Sequence, residues 1–142
     1  MITNFLKKTV TLALVLSSAY IVCQEAVTPL QDLLHNLSPE AAFDQLIHSG
    51  AKLTLVKFFM NECGPCKRMK PIFSKVAQQL SGKVQCIEVD IDKFGPVASK
   101  AHVQSVPTFV YYANGREQGR IVGIKTATEL KNKARNYFHI QL

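Results

Sequence analysis

The chain has 142 residues, 47% hydrophobic and 19% charged, with a formal charge of +7 and four cysteines. This composition excludes a disordered chain and, with so few and such unevenly spaced cysteines, a disulfide scaffold; the length suits one domain with a real core. The positive charge does not make a nucleic-acid binder: beyond Lys67-Arg68-Met69-Lys70 and the Lys131, Lys133, Arg135 set the cations are dispersed, with no basic groove or interleaved aromatics, as on a solvated face.

The first 23 residues differ from the rest. A short basic start carrying Lys7 and Lys8 precedes TVTLALVLSSAYIVC, 15 residues without a charge. A membrane span needs about 20 apolar residues, so the run fits a signal-peptide core better, and export to the periplasm or secretion is expected. Ser17 and Ala19 place small residues at −3 and −1 of a cleavage after Ala19. An uncleaved anchor through residues 9–23 is the alternative. Cys23 raises lipid modification, against which bulky Val22 argues.

Residues 24–37 read as a linker, with a short first strand near Leu33–Leu37, and the domain is expected over 38–142. Ser38-Pro39-Glu40 opens a helix as N-cap, first-turn proline and first-turn acid; Phe43, Leu46 and Ile47 form its stripe and Gly50 stops it. LTLVKFF (53–59) is nearly continuous in apolar residues, the mark of a central strand covered on both faces, and Lys57 interrupts it. Met69, Ile72, Phe73, Val76, Ala77 and Leu80 recur at helical spacing, with Pro71 predicting a kink. VQCIEVDI (84–91) is the next strand, and a short helix is expected over Val97–Ala101. TFVYY (108–112) and GRIVG (119–123) flank Asn114-Gly115, a hairpin signal, although the intervening segment exceeds two residues. Thr126 and Glu129 form a capping box before a last helix bearing Leu130, Ala134, Tyr137 and Phe138. The order is β-α-β-α-β-α-β-β-α: an α/β fold with parallel βαβ pairing and an antiparallel terminal hairpin.

Between the buried strand and the long helix stands Asn61-Glu62-Cys63-Gly64-Pro65-Cys66-Lys67. Cys63 falls at the helix N-terminus, where unpaired N–H groups and the dipole favour a thiolate. Cys66, one turn deeper, can attack a mixed disulfide formed at Cys63; Gly64 and Pro65 make the turn. Two such thiols cycle between dithiol and disulfide, with Cys63 as nucleophile and Cys66 as resolving thiol. Two other readings stand beside this one. A zinc site needs four ligands, but Cys23 and Cys86 are isolated and His35, His48, His102 and His139 show no ligand spacing, so no metal is expected. Two inert thiols packed in a turn are the other. Cys86 reads as a small buried hydrophobe.

The chain resembles the thioredoxin family over roughly residues 30–142. The likeness is carried by Cys63-Gly64-Pro65-Cys66-Lys67, Pro71, Val89-Asp90-Ile91-Asp92, Val106-Pro107-Thr108, Asn114-Gly115 and Gly123. The resemblance implies a thioredoxin fold, with a central mixed sheet of four to five strands flanked by helices. It implies a cis Pro107 facing the active-site disulfide, a Val106 backbone that pairs with an extended substrate, and a Gly123 that keeps the groove open. It also implies a monomer, protein disulfides as substrates, and no cofactor beyond the Cys63–Cys66 disulfide.

Two departures from the family pattern are expected to matter. Glu62 stands where the family usually carries Trp, the chain has no Trp, and a carboxylate beside Cys63 opposes its thiolate. Lys57, six residues before Cys63, stands where the family holds a buried aspartate, and Glu88 where some members have a lysine. A buried lysine is costly unless paired, so a swapped Lys57–Glu88 pair beneath Cys66 is expected. The ammonium would stabilise a thiolate, the neutral amine could accept the Cys66 proton, and Glu88 could instead be the base. The alternative is a Lys57 that reaches out to solvent.

The function expected is a protein-disulfide reductase, exported, with an electron donor such as a membrane protein. An exported disulfide oxidase or isomerase and a non-catalytic thioredoxin-like binding module are the alternatives.

Overall fold

The computed structural model describes residues 27–33, 37–48 and 53–141. The leader, Cys23, His35 and Gly50 lie outside them. Among the described residues, no helix is long and apolar enough to cross a membrane.

Strand β1 is Thr28–Pro29, followed by a 3-10 helix at Leu30–Leu33. The first strand therefore lies upstream of the expected Leu33–Leu37 window. A two-residue strand with a proline has no alternation to read, and its partner is 59 residues away in sequence, with Thr28 against Ile87. Helix α1 covers Pro39–His48, β2 Leu53–Phe59, α2 Gly64–Leu80 and β3 Val84–Asp90. Helix α3 covers Gly95–Lys100, starting two residues before the expected Val97 because Gly95 and Pro96 occupy its first turn. Strands β4, Thr108–Ala113, and β5, Arg116–Val122, lead to α4, Ala127–Phe138.

The sheet has five strands in the order β1-β3-β2-β4-β5. Strand β2 pairs in parallel with β3 and antiparallel with β4, so it lies at the centre with ladders on both sides. Leu55, Val56 and Phe58 are fully buried. Period two sends Val56 and Phe58 to one face, against Phe43 and Ile47 of α1 and Val97 of α3. Leu55 goes to the other face, with Met69, Phe73 and Leu80 of α2 and Leu130 and Phe138 of α4. Lys57 shares the parity of Leu55, which points it beneath α2.

The hairpin is tighter than the sequence suggests. Ala113 pairs with Arg116, leaving a two-residue turn with Asn114 at φ 51° and Gly115 at φ 74°, the signature of a type I′ turn. The strand after it begins at Arg116, not Gly119, and a bulge at Tyr111/Tyr112 absorbs the mismatch.

Candidate active site

Cys63 is the N-cap of α2, in extended conformation (φ −87°, ψ 110°), and Gly64 and Pro65 form the first helical turn. The amide of Cys66 donates to Cys63 Sγ at 3.2 Å, and the Lys67 amide donates to the Cys63 carbonyl at 3.0 Å. Helix geometry thus aims the Cys66 amide, a first-turn donor, at the Cys63 sulfur, an arrangement that favours a thiolate. The two cysteines form a disulfide with Cα atoms 5.2 Å apart. Their surroundings differ: Cys63 is half-buried, Cys66 only 3% exposed. An incoming disulfide has access to Cys63, while Cys66 reaches only its neighbour.

Two other loops close on Cys63. The Val106–Pro107 bond is cis, and the Val106 carbonyl oxygen lies 3.8 Å from Cys63 Sγ, across 43 residues of sequence. Behind it, the Gly123 amide donates to the Pro107 carbonyl at 2.8 Å. Gly123 has φ +84°, a conformation that glycine tolerates best, and a Cβ there would meet open space. The next segment is tied to α2, with the Lys125 amide donating to Met69 Sδ at 3.3 Å. Val122 and Ile124 are exposed on either side of Gly123, at 48% and 46%. The structure therefore brings together Cys63, Cys66, Gly64, Pro65, Val106, Pro107 and Gly123.

Lys57 does not reach out to solvent. It is 1% exposed and its ammonium pairs with Glu88, its register neighbour in β3. The Phe59 and Phe73 rings flank it, with centroids at 5.1 and 5.3 Å. Glu62 lies outside, its side chain 89% exposed, with Lys67 at 3.4 Å. Solvent screens such a charge strongly, so its pull on Cys63 is weaker than adjacency in sequence suggests.

The site holds one contact that the sequence reading missed. Asn61 Nδ2 donates to Asp90 Oδ2 at 2.8 Å, and Asp90 Oδ1 accepts from the Asp92 amide at 3.1 Å. Buried Asp90 thereby anchors the loop before Cys63 to the end of β3. The signal was the acid pair in Val89-Asp90-Ile91-Asp92, but only the pairing of Phe59 with Asp90 places it under that loop. Cys86 is a buried free thiol in the core cluster that α2 and α4 share. Among the described residues, no cluster of three or more His, Cys, Asp or Glu could hold a metal ion.

The thioredoxin family model matches residues 35–136, more than half of the chain. The chain belongs to the thioredoxin family. It is 38% identical over 95 residues to Thioredoxin-2 of Saccharomyces cerevisiae, covering 67% of this chain and 90% of the yeast protein. With the mitochondrial Thioredoxin-2 of Schizosaccharomyces pombe the identity is 41% over 87 residues, 60% of this chain and 65% of the other. Against chloroplastic Thioredoxin Y of Oryza sativa it is 33% over 90 residues, 63% of this chain but only 54% of the rice protein, about half its length. A crystal structure of a thioredoxin from Nicotiana alata superposes with a TM-score of 0.66 at 28% identity, covering 80% and 93% of the two chains. For a Plasmodium falciparum thioredoxin the values are 0.63, 34%, 69% and 93%. The disulfide thus belongs to a thioredoxin-family redox protein.

Proposed function

We propose that this thioredoxin-family protein reduces disulfides in protein substrates through the Cys63–Cys66 dithiol. The observation that supports this most is the unequal burial of two bonded sulfurs at a helix N-terminus, one reachable and one enclosed. The Cys63 thiolate attacks one sulfur of a substrate disulfide, forms a mixed disulfide and releases the first substrate thiolate. Cys66 then attacks Cys63 Sγ, breaks the mixed disulfide and releases the second thiolate. Two electrons pass to the substrate and the Cys63–Cys66 bond remains. An external dithiol reductant then cleaves that bond and regenerates the dithiol. The Val106 backbone and the groove kept open at Gly123 would hold the substrate strand beside Cys63.

We further propose, from residues 1–23, that the protein works outside the cytosol as a monomer, with its reductant supplied by a membrane protein.

The test is reduction of a disulfide-bonded protein by full-length chain in the presence of dithiothreitol. Wild type should accelerate it well above dithiothreitol alone, and Cys63→Ser should remove the acceleration. Equal rates for the two would overturn the proposal. Mass spectrometry of the protein recovered from an export-competent host should show residues 1–19 removed; an intact N-terminus in the cytosolic fraction would exclude export.

A further inference from the structure

The cleft beneath the disulfide has an unusual charge balance. It encloses about 240 Å³ and is lined by Cys66, Lys57, Glu88, Lys67, Lys70 and the Phe59 ring, among others. Lys57 enters from β2, Glu88 from β3, and Lys67 and Lys70 from α2. Lys67 and Lys70 are exposed and the Lys67 ammonium lies by Glu62 outside, so Lys57 is the cation of the lining that is held out of water, with Glu88 as its carboxylate.

The position of Lys57 is over-determined. Cys66, Met69 and Phe73 recur on the buried face of α2 at helical spacing, and the Lys57 ammonium lies under that face against the Phe73 ring. Carboxylate and ring faces are all partners for a cation. A buried ion pair contributes little stability by itself, since desolvation offsets its attraction. Its charge acts instead on what else is buried beside it, and the ionisable sulfur lining the same cleft is buried Cys66.

We propose that Lys57, positioned by Glu88, Phe59 and Phe73, stabilises the anionic form of Cys66 and so biases the couple toward the dithiol. Lys57 is a positioning residue that acts by fixed charge, and it does not carry the proton. The inference rests on the Cys63–Cys66 dithiol reading above. When a dithiol reductant passes two electrons to the disulfide, the S–S bond breaks and the dithiol keeps one proton, held by Cys63 and lost to water before Cys63 attacks a substrate, while Cys66 remains a thiolate. The reductant closes its own disulfide and releases its protons to water. The same charge serves resolution, because Cys66 is already the thiolate that must attack the mixed disulfide. It also makes the disulfide a stronger oxidant than it would be over a neutral cleft.

The test uses full-length protein with Cys23→Ser and Cys63→Ser, which leaves Cys66 to be followed by the pH dependence of its Cβ NMR signal. Buried Cys86, pushed up to about 12, titrates outside the window. With Lys57→Met the Cys66 thiolate fraction at neutral pH should fall about tenfold, and Lys57→Arg should restore it. The reversed pair, Lys57→Glu with Glu88→Lys, keeps an ion pair and should lower the fraction at least as far. In the wild-type cysteine background, Lys57→Met should reduce the equilibrium constant for reduction by glutathione up to about tenfold, or about 30 mV for a two-electron couple. A folded reversed-pair variant with the parent's Cys66 titration would overturn the inference, since a purely structural pair predicts that result. The two proposals fail separately. An inactive wild type whose Cys66 titration follows Lys57 sinks the reductase reading alone. An active wild type with an unmoved titration sinks this one alone.

Discussion

Cys66 and Cys86 are almost equally buried, at 3% and 2% exposure, but they keep different company. Cys66 lines a cleft with the buried Lys57–Glu88 pair, whereas Cys86 is packed among apolar side chains of α2 and α4. Burial alone pushes the Cys86 thiol up from 9.0 to about 12, and the Tyr112 phenol up to about 12, also mainly by burial. Both groups hold their protons more tightly folded than unfolded, so their stabilisation is complete below the unfolded values and is lost as pH rises through the folded ones. Urea unfolding should therefore show stability falling between about pH 9 and 12. Cys86→Val, which keeps an apolar side chain of similar size, should flatten part of that decline; an unchanged alkaline profile would place its cause elsewhere. Of the site's residues, Cys63, Cys66, Gly64 and Pro65 were legible because strand, turn and helix N-terminus are consecutive. The Glu62 reading was less complete, because sequence adjacency to Cys63 does not say that the side chain turns outward to Lys67.

At the scale of elements, the clearest outcome concerns the β4–β5 hairpin. Asn114-Gly115 announced a turn, but Arg116-Glu117-Gln118 looked like loop because those residues are polar and adjacent. They form an edge strand whose first three positions are exposed, so no buried face imposes alternation on them. The two-residue turn then demands positive φ at both positions. A Cβ on Gly115 would also collide with the His48 imidazole, itself held through Nδ1 to the Asp44 carbonyl at 2.8 Å. Gly115→Ala should cost about 1–2 kcal/mol by denaturant unfolding, without changing the titration of Cys66. Strands β2 and β3 were easier to place, since burial on both faces makes them nearly continuous apolar runs. The last helix was easier still: Thr126 and Glu129 satisfy one another's end groups, the Glu129 amide donating to Thr126 Oγ1 at 3.2 Å.

For the molecule as a whole, the fold begins earlier than composition indicates. Thr28–Pro29 extends the sheet beside β3, and Leu30, the next residue, is 0% exposed in the core with Phe43, Ile87 and Phe94. Residues 28–33 are thus structural, though the sequence around them reads as linker. Leu30→Ala should destabilise the domain by about 2–4 kcal/mol through the cavity it leaves, measured by urea unfolding of full-length protein. A loss below about 0.5 kcal/mol, the range of ordinary surface changes, would mean that the segment contributes little. The sequence by itself determined the α/β order, the central strand, the cysteine pair at a helix start and the final capped helix. Each of these rests on local periodicity, turn chemistry or helix capping, which act over a few residues. Tertiary structure decided the rest. It brought Val106 to Cys63 across 43 residues and Lys57 to Glu88 across 31, and it enclosed one sulfur while leaving the other accessible. Strand order and parallel register set which side chains face each other, and low dielectric then gives a buried charge its reach. Neither is written in any single stretch of the chain.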